Sequence, residues 1–404
     1  MPNSSTTSNT SETSKAVKAA SVLPIDVFLS NAKSATGLHD FGSNDFVEAL
    51  ERLIDALNSE AQLSEIGKFQ VEMSIARGLE NRLQIENYIA ENPDVLDQQI
   101  KHPIFIAGLP RTGTTALHHI LNADPANHTL RLWEGNEPIP PPEEATYLTD
   151  PRIEKTKESV KLTEQFMPGF FKTHLMDAEA PDECHLLFSQ NFMSVQYSAQ
   201  FHIPSYANWL YAQELTPSYA YHKRQLQVLQ HKKSGRWVLK TPYHQLGLPA
   251  ILKVYPDAII VQTHRAPLKI IGSGCSFSQL VRSNGSLVND KLTNGRDWMD
   301  MLNVYSSSFE NNRAELEAKH PNQFIDIDHD EFVSNPWPEL EKIYAAADSR
   351  IDDTGKQAMQ KWFDDNPQGK HGKHTYNIAD YGISEKEIDE LFGEYIKRYN
   401  LSMA

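Results

Sequence analysis

Pro103-Ile-Phe-Ile-Ala-Gly-Leu-Pro-Arg-Thr-Gly-Thr-Thr-Ala-Leu-His-His-Ile-Leu121 is the stretch from which the fold can be read. A continuous apolar run, Ile104 to Ala107, meets a Gly-containing turn, Gly108 to Gly113, and passes into a segment of helical texture, Thr114 to Leu121. A short, wholly apolar run suits a strand buried on both faces, so the order is strand, loop, helix. Backbone N–H groups at a helix start converge on anions, and glycine lets the chain come close to them. The loop is therefore a candidate phosphate cradle. The plainer reading, a Gly/Thr turn with a helix cap, is disfavoured by the strand in front of it.

Further apolar runs follow at Trp237–Leu239, Ala258–Val261 and Phe324–Ile327, the second leading into a helical stretch from Pro267. Buried strands alternating with helices predict an α/β fold, a parallel sheet flanked by helices. Upstream, Phe46, Leu50, Leu53, Ile54 and Leu57 recur at helical spacing, and Leu63, Ile66, Met73, Leu79, Leu83 and Ile85 continue the pattern. Residues 23–100 are thus an N-terminal helical region ahead of a core domain, residues 101–404. Residues 1–22 are rich in Ser, Thr and Asn and are expected to be a disordered tail. The interval of about 130 residues between the first two runs exceeds a plain crossover and must hold a helical insertion, residues 131–235. It opens on the stiff connector Glu137-Pro-Ile-Pro-Pro-Pro-Glu143. Its later part carries Phe166, Phe170, Phe171, Phe192, Tyr197, Phe201, Tyr206, Trp209 and Tyr211, expected to form a largely apolar lid over an acceptor pocket or else the insertion's own core.

Composition narrows the partners. The chain has 404 residues, 40% hydrophobic and 23% charged, and a formal net charge of −15. Such an acidic chain is a poor match for nucleic acid or an anionic membrane, which demand a broad basic surface, so any anion site is local and the partner a small molecule. No apolar stretch approaches the roughly 18 to 20 residues of a membrane span, and the first residues lack a hydrophobic signal region; the expected location is cytoplasmic. Cys184 and Cys275 match no metal spacing and suit a reducing compartment. The sixteen histidines form no H-E-x-x-H or Cys/His ligand pattern, so no metal is expected.

A nucleoside triphosphatase loop would read G-x-x-x-x-G-K-[ST]. Here Thr114 stands in place of the lysine, and the positive charge is instead Arg111, inside the loop. That suits one phosphate in the cradle with a transferring group beside the arginine.

Pro110-Arg111-Thr112-Gly113-Thr114-Thr115 resembles the 5′-phosphosulfate loop of sulfotransferases that use 3′-phosphoadenosine 5′-phosphosulfate (PAPS). His264-Arg265-Ala266-Pro267, with Ser273 eight residues after the arginine, resembles that family's 3′-phosphate signature. It departs at Ala266, where Asp or Asn is commoner. Asp328-His329-Asp330-Glu331-Phe332 with Pro336 is similar to the family's acidic strand-to-helix turn, and Gly369-Lys370-His371-Gly372-Lys373-His374 to its basic C-terminal clamp on the donor. The resemblance runs from about Phe41 to the end and is nearest the bacterial-type branch. It implies a P-loop-like fold, PAPS as co-substrate and adenosine 3′,5′-bisphosphate as product. The donor would be held by Arg111, Thr112, Gly113, Thr114, Thr115, Arg265, Ser273, Lys370, His371, Gly372 and Lys373.

Sulfuryl transfer, like phosphoryl transfer, needs charge stabilisation at the departing oxygen and a base for the acceptor's proton. Arg111 and Lys240 are the expected cations. In the family's animal cytosolic branch a Lys-Thr-His segment supplies the base; here Lys240-Thr241 is followed by Pro242-Tyr243, and the histidine, His244, comes two positions late. His244 is the first candidate for general base, and the carboxylates Asp182 and Glu183 are its rivals. His118, His119 and His185 are read as structural. The acceptor is expected to be a hydroxyl, or an amine, of a small or medium lipophilic molecule. Two other classes remain open, a nucleotide-dependent kinase or phosphotransferase and a nucleotide-binding protein without catalysis. Arg265→Ala tests the donor reading. It should weaken adenosine 3′,5′-bisphosphate binding about tenfold or more and leave adenosine 5′-phosphate binding little changed, as a lost charge-assisted contact requires; equal losses would contradict the 3′-phosphate role.

Overall fold

The computed structural model describes residues 19–166, 176–367 and 376–401. Five strands, β1 (Ile104–Ile106), β2 (Asn127–Thr129), β3 (Arg236–Lys240), β4 (Ile259–His264) and β5 (Phe324–Asp328), form one sheet in the order β2-β3-β1-β4-β5. Every neighbouring pair is parallel. Four strands stand where the apolar runs predict them; β2 does not announce itself, because Asn-His-Thr carries no apolar run. It becomes a strand by pairing along β3, where the His128 ring stacks on Trp237 at 4.0 Å and its Nε2 meets Glu134 at 3.1 Å.

Both sheet faces are covered. Phe105, Trp237, Leu239 and Ile260 belong to the larger core, shared with the N-terminal helices and the insertion. Ile104, Ile106, Val238, Ile259 and Val261 lie in the other, with Leu117, Ile120 and Leu121 of the helix Thr114–Ala123 and residues of the helices Trp337–Ala346 and Asp353–Asp365. With both faces covered, the strands' carboxyl ends are where open α/β sheets generally take ligand.

The N-terminal helices Ile25–Thr36, Val47–Ser59 and Glu65–Glu91 share the larger core rather than making their own. The third is capped by Ser64, whose hydroxyl accepts from the Gly67 N–H at 3.0 Å. Gly67 is pressed so closely on residue 285 that an added Cβ would stand 1.9 Å from the Gly285 carbonyl oxygen. Packing begins inside the stretch read as tail: the Ala20 N–H donates to Leu63 O at 2.9 Å and Val22 is buried. Residues 1–18 lie outside the described residues.

The insertion contributes the helices Pro151–Phe166, His185–Phe188, Gln196–Gln200, Pro204–Tyr211 and Thr216–Gln230. Phe192, Tyr197, Phe201 and Tyr206 are each at most 1% exposed and sit in the core shared with the sheet. This corrects the expectation of a lid built broadly from the insertion's aromatics. Helices this short must bury their rings against a neighbour to be stable, and the neighbour is the sheet and the N-terminal helices. The side chains of Phe166, Phe170 and Phe171 lie outside those described. No described helix is long and apolar enough to cross a membrane.

One polar network joins β4 and β5 to the helices Lys291–Lys319 and Glu385–Arg398. Arg313 grips Asp326 with both terminal nitrogens (2.5 and 2.6 Å), and His264 Nε2 donates to the same carboxylate at 2.8 Å. The Tyr395 hydroxyl meets His264 Nδ1 at 3.0 Å, and Tyr399 stacks on the ring at 3.6 Å. Burial alone would raise the Asp326 pKa; His264 and Arg313 outweigh it and push it down to about 2. A carboxyl depressed in the folded state stabilises above its ordinary value near 4 and loses that contribution as pH falls toward 2. Asp326 is partly exposed, so screening trims the contribution to about 1 to 2 kcal/mol. Asp326→Asn should lower the thermal midpoint at pH 7 and flatten the loss of stability between about pH 4 and 2; identical acid unfolding curves for the variant and the wild type would contradict the role.

Candidate active site

The loop after β1 is shaped by contacts to β4. A Cβ on Gly108 would stand 2.0 Å from Thr263 Oγ1, so only glycine lets the chain leave β1 here. Arg111 (φ +69°) and Gly113 (φ +91°) are both left-handed. For arginine this conformation costs roughly 1 to 2 kcal/mol, and the surroundings must hold it. Thr112 Oγ1 donates to Leu109 O at 2.6 Å and lies 2.6 Å from Thr263 Oγ1, while Arg265 Nη1 donates to Arg111 O at 3.1 Å. The Thr112 hydroxyl is thus a staple between loop and β4, which leaves its backbone N–H, not its side chain, for a ligand. The helix Thr114–Ala123 starts at Gly113 with no side-chain cap, so its first N–H groups remain open to an anion.

The cations predicted for the donor gather at this loop. Arg111 Nε donates to Ser273 Oγ at 3.1 Å, which brings the loop arginine to the helix Pro267–Arg282. Arg265 Nε is buried and has no partner among the described residues. Burial lowers the pKa of both guanidinium groups, though they stay cationic. A buried N–H without an acceptor costs free energy until a ligand supplies one. Arg111, Arg265, Ser273 and the open helix start therefore suit a ligand carrying more than one anionic group.

Beside the loop stands an ion pair that the sequence does not announce. Lys240, at the end of β3, pairs with Glu183 and also donates to Thr115 Oγ1 at 3.3 Å. The insertion reaches it because the Asp182 N–H donates to Leu130 O at 2.7 Å and the Cys184 N–H to Lys240 O at 2.9 Å. His185 Nδ1 lies 3.7 Å from the other Glu183 oxygen. Burial works to raise the Glu183 pKa, but Lys240 and His185 hold it well below the usual carboxylate range. It is an ionised acceptor at neutral pH. Asp182 instead accepts from the Glu183 N–H at 2.6 Å and pairs with no cation among the described residues.

His244 is not in the cleft. Pro242 opens a single turn, Pro242–Gln245, that carries the histidine into the core, where it is fully buried with its ring edge-on to Phe105 at 4.9 Å and Nδ1 against the Tyr219 hydroxyl at 2.8 Å. Burial pushes its pKa far down, so it is neutral; its Nε2 has no partner among the described residues, and Glu183, Lys240 and His118 lie near enough to act on it electrostatically. The structure thus places His244, the expected base, in the core rather than on the cleft surface, and Pro242 opens the turn that carries it there. His118, read as structural, is buried with its Nε2 3.2 Å from Val238 O. His185, also read as structural, touches Glu183. Lys370, His371, Gly372 and Lys373, expected to clamp the donor, lie outside the described residues. No group of three or more His, Cys, Asp and Glu among the described residues is placed to hold a metal ion.

Removing one member of a buried pair strands the other charge, at a cost of about 3 to 5 kcal/mol. Glu183 keeps some contact with solvent, so the lower end applies. Lys240→Met should lower the thermal midpoint more than Lys240→Met with Glu183→Gln; a double variant no more stable than the single one would show that the pair is not coupled.

Known proteins share this fold. The profile described as the sulfotransferase family matches residues 103–353. The omega-hydroxy-beta-dihydromenaquinone-9 sulfotransferase Stf3 of Mycobacterium tuberculosis is 23% identical over 315 residues, 74% of each chain. The crystal structure of sulfotransferase STF1 from Mycobacterium tuberculosis H37Rv superposes with a TM-score of 0.82 at 34% identity, covering 92% of this chain and 99% of its own. That of sulfotransferase STF9 from Mycobacterium avium superposes at 0.85 with 29% identity, covering 96% and 98%. A loop, an arginine pair and an ion pair at the carboxyl ends of a parallel sheet, in a chain so matched, place this protein in the sulfotransferase family.

Proposed function

We propose that this sulfotransferase takes its sulfuryl group from PAPS and passes it to the hydroxyl of a lipophilic alcohol or phenol, with Glu183 as general base. The observation that carries the reading is the Glu183–Lys240 pair beside the anion loop, an ionised acceptor touching the cation that a leaving phosphate needs. The 5′ end of the donor would lie on the N–H groups from Thr112 to Thr115 with Arg111 beside the sulfuryl group, and Arg265 and Ser273 would take the 3′-phosphate. The orphaned Arg265 Nε supports this.

In the transfer the acceptor oxygen attacks sulfur in line, the bond from sulfur to the bridging oxygen breaks, and the electron pair leaves on the phosphate of adenosine 3′,5′-bisphosphate. The acceptor's proton goes to Glu183. Lys240 and Arg111 meet the charge growing on the bridging oxygen. As Lys240 turns to that oxygen it releases Glu183, whose basicity rises because its counter-charge has gone. Proton acceptance and leaving-group stabilisation are thereby coupled.

Support for a lipophilic acceptor comes from the half-buried ring of Tyr211 and the buried ring of Tyr305, 5.8 Å apart, the second near enough to feel the Glu183 charge. It also comes from the matched mycobacterial enzyme, named for an omega-hydroxy menaquinone. Assays with labelled PAPS against long-chain alcohols, phenols and amines test the acceptor. Adenosine 3′,5′-bisphosphate should raise the thermal midpoint where ATP with magnesium does not. Glu183→Gln should cut turnover about 10²- to 10⁴-fold, while His244→Gln, if folded, should stay within about tenfold of wild type. Full turnover in Glu183→Gln would end the assignment of the base.

A further inference from the structure

The turn after β5 brings one more titratable side chain to the anion loop. His329, first residue of the helix His329–Ser334, is 8% exposed. Its Cδ2 lies 2.8 Å, and its Nε2 3.6 Å, from the place where a Cβ on Gly113 would stand, so the imidazole lies directly against the loop glycine. Nδ1 is 2.7 Å from Asp330 Oδ1, and Asp330 is in turn 3.6 Å from Lys269. The hydrogen bond from His329 lowers the Asp330 pKa, so the carboxylate is ionised and Nδ1 carries the proton it donates. That leaves Nε2 without a partner among the described residues.

The charged groups around the ring are Asp328 and Asp330 on its own turn, Lys269 on the helix Pro267–Arg282, and Arg265 at the end of β4. Burial and the Arg265 charge hold His329 below its ordinary pKa, against the two aspartates. Neutral, it presents a lone pair toward a site whose other groups are N–H donors and guanidinium cations. A lone pair facing a phosphate oxygen is repulsive, and a proton on Nε2 turns the contact into a charge-assisted hydrogen bond. A bound phosphate also offsets the Arg265 charge that opposes protonation.

We propose that His329 is a protonatable contact for a phosphate group of the donor nucleotide, its Nε2 taking up a proton as the nucleotide binds. This rests on the PAPS reading above. Asp330 is the positioning residue, fixing the proton on Nδ1 and favouring the imidazolium. The consequence is that adenosine 3′,5′-bisphosphate binds with proton uptake and less tightly as pH rises.

Calorimetric titration of adenosine 3′,5′-bisphosphate at pH 7 in buffers of different ionisation enthalpy measures the protons taken up. The nucleotide's own phosphate titration is common to every variant, so the difference between wild type and His329→Gln isolates the histidine. Wild type should take up a measurable fraction of one proton more than His329→Gln, and the variant should bind roughly tenfold more weakly at pH 6 with a shallower dependence on pH. Asp330→Asn, which keeps the imidazole, should reduce uptake and affinity in the same direction, and it decides the matter should His329→Gln not fold. Binding with the same uptake in wild type and in both variants would overturn this inference and leave the PAPS reading standing. Failure of wild type to bind the nucleotide at all would overturn both.

Discussion

The buried pair between Lys240 and Glu183 is the interaction on which the rest of the site depends. An ammonium 5% exposed at the end of a central strand is tolerable only with a counter-charge. That counter-charge comes from a segment 57 positions away in the chain. The need to satisfy it explains why the insertion folds back across the carboxyl edge of the sheet, held by Asp182 on Leu130 and Cys184 on Lys240. It also sets the chemistry, because the same contact keeps a largely buried carboxylate ionised and keeps a cation ready for developing charge.

The phosphate side of the site is held by contacts from every neighbouring element. Thr112 ties the loop to β4 and Arg265 holds the carbonyl of the strained Arg111. Behind Arg265 the Arg313–Asp326–His264 network locks β4 to β5 and to two helices. Rigid backing of this kind lets donors point at an anion before it arrives, so little reorganisation remains when it binds. It also shows how a chain of net charge −15 makes a local anion site: the cations are few and converging, Lys240 buried and Arg111 and Arg265 half-buried, so water screens them less than on an open surface.

Much of this was legible in the residues alone. Strand, loop and helix around Gly108–Thr115 follow from a run of apolar side chains meeting glycine. Arg265 and Ser273 sit one β-strand end and two helical turns apart, a spacing that chain geometry carries by itself. The short edge strand β2 was invisible, since its only reason to be a strand is the partner it pairs with. His244 misled for the opposite reason: counting positions ignores that Pro242 starts a turn, and a turn of four residues redirects a side chain from cleft to core.

The sequence by itself determined the parallel sheet, the anion loop and the cationic residues that face it, because each is encoded by neighbours within about twenty positions, where periodicity and turn chemistry act. Which acid meets Lys240, which aromatic rings are core, and that His329 lies on Gly113 were decided only by the tertiary structure. These are contacts between distant segments, fixed by how helices share two faces of one sheet, and no local pattern specifies them.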